Sequence, residues 1–68
     1  MIKYRIVKML INGCYRIDKK FMLFSFIPLF CIKDISDHWF AESYNAINWL
    51  NFKIRNKELP YGDYEILN

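Results

Sequence analysis

The two cysteines, the one histidine and the two aspartates nearest it in the sequence are the candidates to bind a metal or to act as nucleophile and base: Cys14, Cys31, Asp34, Asp37 and His38. A structural zinc site takes four ligands, usually from paired Cys-x2–4-Cys and His-x3–5-His units. No such pair exists here, and Cys31 and His38 stand seven residues apart with a turn between them. Covalent catalysis needs a base within reach of the nucleophile and a third group that orients the base. Cys31, His38 and Asp37 supply those types. The single histidine, however, adjoins Trp39 at the entry to a helix, where such a residue caps or packs. Gly13 and Gly62 are the two glycines and each falls in a turn, so no glycine-rich loop can cradle phosphates. A chain of 68 residues also leaves little room for a ligand pocket, which typically occupies about 300–1,000 Å³. The expectation is a protein with no enzymatic activity, no metal, no cofactor and no small-molecule substrate.

The elements that carry these residues can be read from periodicity. Residues 2–11 and 14–21 alternate between apolar and polar and are rich in Ile, Val and Tyr, which is the signature of strands. Asn12-Gly13 lies between them and suits a two-residue type I′ turn, whose central residues both need positive φ. Such a turn predicts that Ile11 faces Cys14, Met9 faces Arg16, Val7 faces Asp18 and Arg5 faces Lys20. On the other side Leu10 meets Tyr15, Lys8 meets Ile17, Ile6 meets Lys19 and Tyr4 meets Phe21. The second face is the more apolar and is assigned to the core, while Lys8 and Lys19 lay their stems over the sheet edge. A third strand falls within 26–33, where Pro28 has no N–H to give and favours an edge. Ala46, Ile47, Leu50 and Ile54 form one apolar stripe on a helix over about 42–57, which Pro60 and Gly62 terminate. Residues 61–67 read as a short final strand. The expected fold is a single α+β domain over residues 1–68, with a small antiparallel sheet packed on one helix.

Composition adds two constraints. Residues of the AVILMFWYC set make up 54% of the chain and aromatics 19%. A domain of this size has little interior for so many rings, so a surplus faces a partner or a second copy. The stretch from Phe21 to Ile32 is uncharged between Lys20 and Lys33. As a helix its 12 residues would reach about 18 Å, short of the roughly 30 Å hydrocarbon core, and Pro28 would break it. It starts too late for a signal peptide. It reads as a buried strand or strand pair, with attachment to a membrane surface as a weaker alternative. Two cysteines are too few for a disulfide framework and fit free thiols in a reducing cytoplasm.

Two surfaces are candidates for function. Arg5, Arg16 and Lys20 share one face of the hairpin, and basic residues on an open sheet can hold a nucleic-acid strand by its phosphates. Asp18 lies in the middle of that face, and the net charge of +3 is mild. On the helix, Trp49, Phe52 and Arg55 lie on or beside the polar side and suit a protein interface, which favours aromatics and arginine. The arrangement Tyr4-Arg5-Ile6, Tyr15-Arg16-Ile17, Lys19-Lys20-Phe21 and then Phe40 followed by Ala46-Ile47-Asn48-Trp49-Leu50 resembles short reading frames of AT-rich bacteroidete genomes and their phages. These pair a Tyr-containing hairpin with a strand and an Ala-x-x-Trp/Leu helix. The resemblance covers residues 3–55 and rests on core positions. It implies a phage setting, as a minor virion or assembly component or an inhibitor of a host factor, in the host cytoplasm or the virion. The expected function is therefore binding to another protein. Nucleic-acid binding through Arg5, Arg16 and Lys20 is the alternative.

Overall fold

The computed structural model describes residues 1–24, 26–36 and 38–67. Its elements are β1 (Ile2–Lys8), β2 (Tyr15–Leu23), β3 (Ile27–Ile32), α1 (Ser43–Arg55) and β4 (Asp63–Leu67). The four strands form one sheet in the order β3-β2-β1-β4. The α+β class, the helix and all four strands match the sequence reading. The sheet, however, is mixed: β1, β2 and β3 pair antiparallel, whereas β4 runs parallel to β1. The helix accounts for this. β3 and β4 point the same way at opposite edges, and a connection between parallel strands must carry the chain back, usually as a helix. α1 makes that return across the two central strands.

The hairpin register differs from the two-residue turn. Ile6 faces Ile17, Tyr4 faces Lys19, Ile2 faces Phe21 and Arg5 faces Asp18. The loop has four residues, Leu10 to Gly13, closed by Met9 N–H donating to the Cys14 carbonyl (2.8 Å) and Gly13 N–H to the Met9 carbonyl (2.9 Å). Gly13 alone takes positive φ, at 71°. Asn12 instead accepts the Cys14 N–H on Oδ1 (2.9 Å), as Asn does in turns. The competing register would have set Ile6 against Lys19 in the core. The observed one pairs two isoleucines and opposes Arg5 to Asp18. Leu10, assigned to the core face, is fully exposed at the loop tip.

The displacement is two residues, so each side chain keeps its face. Tyr4, Ile6 and Ile17 are fully buried against Ala46 and Leu50 of α1, and Phe40 completes this cluster. Ile47, Trp49 and Ile54 flank it, as the helical stripe requires. The buried Tyr4 hydroxyl donates to the Pro60 carbonyl (2.6 Å), tying β1 to the segment that enters β4. Burial raises the Tyr4 pKa above the usual tyrosine value, because the phenolate would be poorly solvated there.

α1 ends before Pro60 and Gly62. Lys57 adopts φ 61°; its N–H bonds the Ile54 carbonyl and the Glu58 N–H bonds the Lys53 carbonyl. These are the two bonds of a Schellman motif, in which glycine normally holds the left-handed position. Lys57→Gly is expected to raise stability by about 0.5–1 kcal/mol in denaturant titration. Gly62 has a different role: a Cβ there would collide with the Ile2 carbonyl oxygen and crowd the Tyr4 ring. Gly62→Ala is expected to lower stability by about 1–3 kcal/mol in the same assay, because backbone must shift to admit the methyl group.

Candidate interaction surface

Arg5, Arg16 and Lys20 do share the face of the sheet opposite α1, by the alternation and the register. They do not form a free basic patch. Asp18 sits among them, and the parallel pairing with β4 brings Asp63 beside Lys3 and Glu65 beside Arg5. Across β1, β2 and β4 this face sets the four cations Lys3, Arg5, Arg16 and Lys20 against the three anions Asp18, Asp63 and Glu65. Glu65 lies 3.7 Å from Lys3 Nζ and 3.6 Å from Arg5 Nε. The second distance is an ion-pair contact too long for a hydrogen bond, and the buried Arg5 Nε–H has no hydrogen-bond partner among the described residues.

Asp18 is almost wholly buried, although it lies on the face that was not assigned to the core. Its Oδ1 accepts from Arg16 Nε (3.0 Å) and from the Asp34 backbone N–H (2.9 Å). Arg16 is thus committed to an internal contact. Asp34 reaches this position with φ 55°. One carboxylate therefore joins β2 to the chain that leaves β3. From there the chain follows β2: Ile35 N–H bonds the Ile17 carbonyl, and Tyr15 and Phe40 exchange two backbone bonds.

β3 contradicts the expectation of a buried strand. All of its residues are exposed. It is an edge strand, as Pro28 requires, and α1 lies over β1 and β2. Leu29 and Phe30 are each 57% exposed and Ile32 47%, while Phe24 and Phe26 at the preceding turn reach 68% and 71%. The rings are ordered. Phe30 stacks on Phe21 with centroids 4.3 Å apart, and Lys19 Nζ lies 5.1 Å from the Phe21 ring centroid. A bulge between Phe21 and Met22 shifts the register, so Met22 faces Pro28 and Leu23 faces Ile27. The cue in the sequence was the run of uncharged residues itself. What it did not reveal was which elements the single helix would cover.

The helix candidates separate. Trp49 packs against the core, tilted on Phe40 (6.1 Å) with Lys53 Nζ 5.6 Å from its ring. Phe52 is 53% exposed, and Arg55 is also exposed. An open cleft of about 480 Å³ lies between α1 and the β4 edge, lined by Lys3, Asn51, Ile54, Tyr61, Gly62, Asp63 and Tyr64. It is larger than a chain of this length led us to expect, but neither Cys nor His lines it. Among the described residues, no three His, Cys, Asp or Glu side chains cluster to hold a metal. His38 packs on Phe40 (4.5 Å), Cys14 and Cys31 are free thiols, and Asp37 lies outside the described residues. No helix among the described residues is long and apolar enough to cross a membrane.

Comparison with protein-family models, with curated proteins and with solved structures finds no match. The chain's own geometry therefore has to carry its functional interpretation. The tie at Asp18 can be tested directly. Asp18→Ala leaves Arg16 and the Asp34 N–H without their acceptor and is expected to lower stability by about 2–4 kcal/mol in denaturant titration.

Proposed function

We propose that this protein acts by binding another protein, and that the contact surface is the uncharged stretch around β3. The observation that carries this is the exposure of Phe24, Phe26, Leu29, Phe30 and Ile32 in one contiguous segment. Monomeric proteins rarely leave an apolar patch of several hundred Å² open without using it. An edge strand also offers unpaired backbone groups to a docking chain. The helix side adds Phe52 and Arg55 as secondary contacts. In the phage setting that the resemblance to short bacteroidete and phage reading frames implies, such a surface suits a minor virion or assembly component, or an inhibitor of a host factor.

The nucleic-acid reading loses its main support. Arg16 is committed to Asp18, and Glu65 lies beside Lys3 and Arg5. Phosphate binding draws on uncompensated cations and weakens steeply with salt.

Site-specific photo-crosslinking tests this proposal in cells that produce the protein. A photoreactive residue in place of Leu29 is expected to yield covalent protein adducts, whereas one in place of Asn48 on the helix is not. Equal yields from both positions would count against the surface. So would single-strand affinity that falls steeply with salt and disappears in the double variant Arg5→Ala, Arg16→Ala.

A further inference from the structure

The partner of the β3 surface can be specified further, on the reading that this surface binds protein. We infer that it docks a second copy of this chain, β3 against β3, antiparallel about a two-fold axis normal to the sheet. The result is a continuous eight-stranded sheet with both helices on one face.

Three observations support a second copy. The first is the open edge. β3 is the outer strand of the sheet and carries the exposed Leu29, Phe30 and Ile32, so pairing with a second copy satisfies its outward backbone groups and covers part of these side chains. The second is charge. The stretch from Phe21 to Ile32 has none, so no charged partner is selected, and the same patch is compatible with itself. Lys33, the cation that directly follows β3, sets the strand direction. A parallel pairing would place the two Lys33 residues side by side. The antiparallel one separates them by six residue steps, roughly 20 Å, which exceeds the ~8 Å screening length.

The third observation is the ring stack. A two-fold axis normal to an antiparallel pair requires one residue to face its own copy. With Phe30 at the axis, the regular segment from Phe30 to Ile32 lies on one side of it and the bulge at Leu29 on the other. Pro28, which lacks an N–H, then stands at the end of the paired segment. The Phe21–Phe30 stack, 4.3 Å between centroids, extends across the axis as a row of four rings.

Sedimentation velocity on the purified full chain tests this. The expected mass is twice 8.3 kDa at high concentration, returning to 8.3 kDa on dilution. Phe30→Lys sets two cations face to face at the axis and should raise the dissociation constant at least about tenfold with an unchanged far-UV spectrum. If that variant loses its fold, Leu29→Lys, at an exposed edge position, serves instead. Asn48→Lys, at an exposed position on α1, should leave the dimer intact. Amide exchange at Leu29 to Ile32 should slow as concentration rises. A monomer at every concentration overturns the inference, as does a dimer that survives Phe30→Lys. A monomer whose Leu29 crosslinks reach only other proteins in cells overturns self-docking and leaves the protein-binding surface standing. A monomer that forms no protein adducts and is captured by phosphatidylcholine vesicles overturns both.

Discussion

An α-helix with its side chains is about 10 Å wide, and strands in a sheet lie about 4.8 Å apart. One helix therefore shields two strands, and the described residues form one helix and four strands. Most of the structure follows from that mismatch. α1 crosses β1 and β2, and the fully buried apolar residues are those that lie between them: Tyr4, Ile6, Ile17, Ala46 and Leu50. β3 and β4 fall outside its shadow. β4 exposes Tyr64 and Ile66 on the helix side, and β3 is open along its whole length. The most apolar segment of the chain is thus among its most exposed.

Polar contacts secure what the helix does not cover. The Tyr4 hydroxyl holds the Pro60 carbonyl, which fixes the path from α1 into β4. Asp18 holds Arg16 and the Asp34 N–H, which fixes the path out of β3. Both anchors sit on the central strands, and each secures the chain next to an edge strand. The same arrangement leaves the basic residues of the hairpin without a free cationic patch. The carboxylates that hold the sheet together are interleaved with them, so the cations serve the fold.

The hairpin shows how a local signal and a tertiary demand can disagree. Asn12-Gly13 favours a two-residue turn by its own conformational preference. That turn would have aligned Ile6 with Lys19 under the helix. A four-residue loop with Gly13 as its only left-handed residue aligns Ile6 with Ile17 and Arg5 with Asp18. Burial on one face and opposite charges set across the strands on the other outweigh the preference of the dipeptide. Leu10 and Ile11 are left at an exposed tip as the consequence.

By itself the sequence determined the elements and their faces. Period-two alternation marked β1 and β2, the Ala46-Ile47-Leu50-Ile54 stripe marked the helix, and Pro28 marked β3 as an edge, because each is a local consequence of backbone geometry. A register error of two residues left those faces intact, since side chains alternate with a period of two. Only the tertiary structure decided the register, the parallel direction of β4, the neutralisation of Arg5 and Arg16, and the exposure of residues 26–32. These depend on which strands the one helix covers and which distant carboxylates meet the basic residues. Contacts far apart in the chain set both. An apolar run looks the same in the sequence whether a helix lies over it or not.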